Sequence, residues 1–161
     1  MSLVIEPLTR AAFAPFGDVV ETGSGQVFHI NQGFAERHNN LADVDVTLDG
    51  GRPNVSIFTA RPRPIPIEVR LMERHPLGSQ LFAPMQDRPW LVLVCADPRD
   101  RASYRAFRAS GAQGVNYARN VWHHPLLVLE PGLFLVVDRA GPGHNLEEYE
   151  LAGREIFTLI P

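Results

Sequence analysis

The sequence predicts an all-β fold, a barrel or sandwich with one or two short flanking helices, and two observations carry that expectation. Fourteen prolines and thirteen glycines are spread along 161 residues and cut the chain into short pieces. Those pieces are apolar or alternating and recur at close spacing, and the longest apolar run, Trp90–Ala96, is only strand-sized. No repeat, low-complexity tract or linker divides the sequence. Residues 1–161 are therefore expected to form one domain, long enough to bury a core without disulfide or metal staples.

Taken in order, Thr9 can cap a short helix that runs through Phe13 and is ended by Pro15 and Gly17. Strands are expected at Asp18–Glu21, Gln26–Asn31, Val44–Leu48, Asn54–Ala60, Ile67–His75, Gln80–Ala83 and Trp90–Ala96. Asp97 or Asp100 can cap a second helix with Gly111 just past its end, and Tyr104 and Phe107 at i, i+3 would pack it on a sheet. Strands then follow at Gly114–Tyr117, Val121–Leu129, Leu133–Asp138 and Glu155–Ile160. Arg61-Pro62-Arg63-Pro64 reads as an extended edge, because two arginines are too few for a binding patch.

Composition removes several classes of function. A net charge of -3 offers no electrostatic case for nucleic acid or an anionic membrane. Cys95 is the only cysteine, so no internal disulfide can form, and its place in an apolar run makes it a buried thiol rather than a nucleophile. Glu6, Arg10 and Asp18 interrupt the first twenty residues, which argues against a signal peptide, and no run is long enough to span a membrane. The expected setting is the cytoplasm.

Ile67–His75 is the most informative segment. Alternate side chains of a strand share a face, so Ile67, Val69 and Leu71 would form one row continued by Glu73 and His75. Such a row runs from packed core into a polar cavity. The blander alternative is a strand that leaves the sheet near Met72, so that both groups merely reach solvent before Pro76. The cavity is favoured, since buried ionisable groups are rare without a purpose. In Asn120-Val121-Trp122-His123-His124-Pro125, adjacent histidines on a strand must face opposite ways, so at most one of them enters the cavity. Asn116 and Tyr117 can donate hydrogen bonds to a small anion or serve turn and core equally well. Asp138-Arg139 reads as a rim ion pair. Ser79 and Ser110 lack a His–Asp arrangement, and no Walker or dinucleotide motif is present.

Glu73-x-His75-x4-Gln80 resembles the first cupin motif, with Glu73 in place of a histidine and Gln80 in place of a glutamate. The cupin's last ligand follows a glycine by three residues. Asn120 stands at that glycine's position, which nominates His123 and turns His124 outward. Together, Glu73-Arg74-His75-Pro76-Leu77-Gly78-Ser79-Gln80, Gly114-Val115-Asn116-Tyr117 and Val121-Trp122-His123-His124-Pro125-Leu126 resemble the ureidoglycolate lyase family. Phe28-His29-Ile30-Asn31 and Val137-Asp138-Arg139 match its pattern as well.

The resemblance implies a cupin-like double-stranded β-helix, a jelly-roll barrel that is usually dimeric. It also implies cleavage of (S)-ureidoglycolate to glyoxylate and urea in allantoin breakdown. His75, His123 and His124 are then the candidate catalytic residues, and Glu73, Gln80, Asn116 and Tyr117 the candidate substrate-binding ones. Glu73, His75, Gln80 and His123 are the candidate ligands should a divalent metal ion take part. A homodimer is expected because Val121–Leu129 is apolar on both faces. Two alternatives stay open. One is a metallocupin oxidising or isomerising a small acid or sugar, and the other a non-catalytic barrel that binds a small anion.

Overall fold

A computed structural model describes residues 3–161. The chain begins with β1 (Ile5–Pro7), the single turn α1 (Arg10–Phe13), β2 (Gly17–Val20) and a hairpin of β3 (Gln26–Ile30) and β4 (Ala35–Asn39). It continues through β5 (Arg52–Ala60), β6 (Ile67–Val69), β7 (Leu71–Arg74), β8 (Gln80–Pro84) and β9 (Trp90–Cys95). Then come β10 (Tyr104–Ala109), β11 (Gly114–Tyr117), β12 (Trp122–His123) and β13 (Leu127–Val128). The last strands are β14 (Gly132–Ala140), β15 (Glu147–Glu150) and β16 (Phe157–Leu159).

Two sheets carry the architecture, in the order β1-β10-β9-β12-β7-β15 with β13 also on β9, and β2-β11-β8-β14-β5. Val92, Val94 and Phe107 of the first sheet meet Phe82, Val115, Phe134 and Val136 of the second in one core, so the sheets face each other. α1 adds Phe13 to this core, and its cap is the expected one, with Thr9 Oγ1 accepting from the Ala12 amide at 3.2 Å. The outer face of the first sheet holds a second core of Leu91, Leu93, Cys95, Tyr104, Ala106 and Leu127, covered by Ile67, Val69, Leu151 and Leu159. β6 and β16 pair with each other to make that cover.

The all-β expectation holds, and four local expectations do not. Residues 104–109 form a strand, not a helix, with only a 3-10 turn at Arg101–Ser103 capped by Asp100. β10 pairs with β9 through six registered residues and is covered on both faces: Tyr104 lies in the outer core and Phe107 in the inner one. A strand buried on both sides carries apolar residues at odd and even positions, which mimics helical spacing. Residues 44–47 form no strand. Val46 is buried there, and a 3-10 turn follows at Leu48–Gly50. Val121–Leu129 is broken into β12 and β13, and its outward apolar side is covered by the chain itself. Ile67–His75 is broken at Arg70 into β6 and β7. Ile67 and Val69 therefore share the outer core with Met72, and Glu73 lies on the opposite face of β7 from Met72. The row expected to lead from Ile67 to His75 does not exist, although Glu73 and His75 do reach the polar interior.

Candidate active site

Two cross-strand pairs, one from each sheet, build the site. Glu73 of β7 lies directly opposite His123 of β12, and Gln80 of β8 lies opposite Tyr117 of β11. His75 follows the end of β7, and its carbonyl accepts from the Asn120 amide at 2.9 Å. Asn120 has φ 71°, the left-handed conformation in which asparagine substitutes for glycine, so the turn before His123 is tied to the His75 backbone.

Gln80 is the centre of the cluster. Its Nε2 donates to Asp138 Oδ2 at 3.3 Å, which turns Oε1 toward both histidines, 3.1 Å from His75 Nε2 and 3.2 Å from His123 Nε2. Asp138 is itself held by the Asn54 amide at 3.0 Å. Glu73 Oε1 lies 3.4 Å from His123 Nε2. Each imidazole is anchored through its other nitrogen, His75 Nδ1 to the Asn145 carbonyl at 2.8 Å and His123 Nδ1 to the Val121 carbonyl at 3.0 Å. A carbonyl only accepts, so each Nδ1 carries a proton and each ring turns its Nε2 into the site. Two imidazole nitrogens, an amide oxygen and a carboxylate thus converge, and a proton on a ring Nε2 or a bound cation is what satisfies the acceptors.

Burial pushes the Glu73 carboxyl up. The hydrogen bond from His123 and the fields of the histidines outweigh burial and hold it below its ordinary range. Tyr117 stacks on His123 with ring centroids 4.1 Å apart and planes 10° apart. Burial, then the charge of Glu73, raises its phenol far above the usual value, so it stays neutral. A cavity of about 620 Å³ opens onto Glu73, His75 and Gln80, with Phe58, Phe82, Leu126 and Leu146 as apolar wall. His123, 1% exposed, backs this group.

Three expectations are corrected here. His124 does not join the cluster: it is buried, its Nδ1 donates to the Pro125 carbonyl at 2.7 Å, and it lines a different cavity with Arg63, Arg70 and Thr158. Burial, followed by the charge of Arg63, pushes its pKa down to about 4. Asn116 is registered with Leu81 and Asp18, one residue out of phase with Gln80 and Tyr117, and so faces away from the site. Its Nδ2 donates to Asp18 Oδ2 at 3.1 Å and to the Asp43 carbonyl at 2.8 Å. Asp138 and Arg139 are not a pair, because consecutive residues on β14 face opposite ways. Asp138 anchors Gln80, while Arg139 donates to the carbonyls of Leu48, Asp49 and Pro142. Arg61 and Arg63, set aside in the sequence, line the main cavity. The only signal for them was a proline after each arginine, which holds the chain extended.

The family model described as "Ureidoglycolate lyase" matches residues 1–157. The chain belongs to the ureidoglycolate lyase family. Ureidoglycolate lyase of Burkholderia mallei is 55% identical over 152 residues, which cover 93% of this chain and 89% of that protein. Ureidoglycolate lyase 1 of Rhizobium meliloti is 55% identical, covering 91% and 88%, and the Pseudomonas syringae ureidoglycolate lyase is 46% identical, covering 99% and 95%. A solved structure of Bacillus subtilis oxalate decarboxylase, described for its Mn(II) centres, overlaps 62% of this chain and 24% of its own. With a TM-score of 0.40 and 12% identity, that overlap carries no argument about metal or mechanism. The resemblance drawn from the two histidine-bearing segments of this ureidoglycolate lyase family member is thereby borne out.

Proposed function

We propose that this chain is a carbon–nitrogen lyase that splits (S)-ureidoglycolate into glyoxylate and urea in allantoin breakdown, with His75 as the base. Family membership supports the reaction, and the single observation that supports the residue is His75 on the cavity wall, its ring fixed by the Asn145 carbonyl so that Nε2 faces inward. His75 takes the hydroxyl proton, the oxygen electrons form the aldehyde C=O, and the C–N bond breaks. The departing urea nitrogen then takes up the proton that the imidazolium holds. An imidazole can take a proton and give it back, which suits it to both halves of that transfer. His123 and Glu73, behind and beside it, set the local charge, Gln80 fixes the orientation of both rings, and Tyr117 excludes water from the His123 face.

Glu73, His75 and His123 offer ligand atoms within 4.8 Å of one another, and Gln80 Oε1 adds a fourth acceptor. This donor set, with both Nδ1 protons tied down, fits a divalent ion. Such an ion would supply Lewis-acid polarisation of the substrate hydroxyl.

One domain over residues 1–161, a cytoplasmic setting and a homodimer belong to the same proposal. Support for the dimer comes from the exposed apolar side chains Phe34, Val55 and Ile57, not from the expected Val121–Leu129 face. The test is the product ratio. Purified protein should release urea and glyoxylate in equal amounts from (S)-ureidoglycolate. Ammonia in place of urea, or no turnover with or without added divalent metal, would sink the reading.

A further inference from the structure

The substrate class brings a carboxylate into a cavity that already holds one, Glu73, beside the Gln80 amide. Neither the Glu73 carboxyl nor the Gln80 oxygen attracts a second anion. The chain contains no lysine, so arginine must supply any fixed positive charge. The cavity lining includes two arginines, Arg61 and Arg63, in the segment that joins β5 to β6. Arg70, Arg74, Arg88, Arg99, Arg105 and Arg119 each lie near a carboxylate. Among the described residues Arg61 and Arg63 have no such partner. Pro62 and Pro64 confine the residue before each of them to extended backbone and offer no amide donor to a neighbouring strand. The segment is thus stiff but free of the sheet, and it leaves both guanidinium groups available at the cavity wall. Arg63 also lines a second cavity together with His124, which puts it beside the β12 end of the site.

We propose that Arg61 and Arg63 bind the carboxylate of the substrate, and so select 2-hydroxy and 2-oxo acids over their neutral analogues. A guanidinium meets a carboxylate with two parallel N–H donors, which fixes the acid's orientation as well as its charge. The rest of the lining is largely apolar, so the arginines orient the anion and His75 meets the hydroxyl. This rests on ureidoglycolate as the substrate, and the experiment separates the two. Oxamate, a stable 2-oxo acid anion, is titrated by calorimetry into the wild type and into folded R61Q, R63Q and the double variant, while urea release from ureidoglycolate is followed in parallel.

The double variant should bind oxamate roughly 10- to 100-fold more weakly, as expected for loss of charge-assisted hydrogen bonds. KM for ureidoglycolate should rise by a similar factor with kcat changed far less, the signature of lost uniform binding. R61K with R63K should recover part of the affinity, since charge returns without the fork. Unchanged oxamate affinity in the double variant overturns the proposal, as does a wild type that binds no oxamate. So does affinity that a chelator abolishes and the arginine substitutions do not. Oxamate binding that depends on the arginines, in a protein that releases no urea, would uphold the carboxylate site and reject ureidoglycolate as its substrate.

Discussion

His75 and His123 are held alike, each by a carbonyl at Nδ1 and by Gln80 at Nε2, yet only His75 meets the cavity. Replacing His75 with alanine should lower kcat by about 10²- to 10⁴-fold, the usual contribution of general acid–base help. His123→Ala should cost a comparable factor by removing the partner of Glu73 and Gln80. Steady-state kinetics on variants shown to be folded by circular dichroism check both. His124 behaves differently because it does not line the cavity that holds Glu73, His75 and Gln80. The unfolded chain gains a proton at His124 near pH 6.5, whereas the folded chain refuses it until about pH 4. The unfolded state therefore binds more protons in that interval, and folding stability falls as pH drops through it, by up to ~3 kcal/mol. Glu73 adds to the loss only at more acid pH, where the unfolded chain takes up a proton that the depressed native carboxyl still refuses. His124→Gln should flatten the urea midpoint between pH 7 and pH 5 while leaving kcat near the wild-type value. A folded but inactive His124→Gln would show that the other face of β12 carries the chemistry.

Among the elements, β12 depends on the turn before it. Asn120 sits at φ 71° and its amide holds the His75 carbonyl, so one residue positions both imidazoles. Asn120→Gly should be nearly neutral, while Asn120→Ala should cost about 1 kcal/mol because a Cβ without the asparagine amide is disfavoured there. Urea unfolding of the two variants measures the difference. The break between β6 and β7 matters as much. Had the strand run on unbroken, Glu73 would share a face with Ile67 and Val69 in the outer core, where a carboxylate has no partner. Breaking the ladder at Arg70 lets the first half cover the sheet from outside and the second half supply the site.

At the scale of the whole molecule, the inner core and the candidate site occupy the same space between the sheets, and apolar surface is left over elsewhere. The β3–β4 hairpin pairs with no other strand, Phe34 at its tip is 90% exposed, and Val55 on the edge strand β5 is 67% exposed. Scattered apolar residues are ordinary on a surface, but an unpaired edge and a projecting apolar hairpin together invite a second copy. Light scattering should report a dimer at micromolar concentration, and Phe34→Lys with Val55→Lys should give a folded monomer. A wild type that is monomeric over that range would remove the proposal.

The sequence by itself determined the fold class, the α1 cap and most of the strands, because turn residues and apolar runs are local signals. It also determined the family, since Glu73 to Gln80 and Val121 to Leu126 are long, specific stretches. Only the tertiary structure decided which faces those residues present. β10 looked helical because both of its faces are covered, and coverage depends on partners far away in the chain. The Ile67 row failed because one break at Arg70 shifts every later side chain by one position, and strand alternation cannot reveal a break. Asn116 and Tyr117, adjacent in sequence, were separated by strand register alone. Arg61 and Arg63 acquired a role only when β5, β7 and β8 closed a cavity beside them.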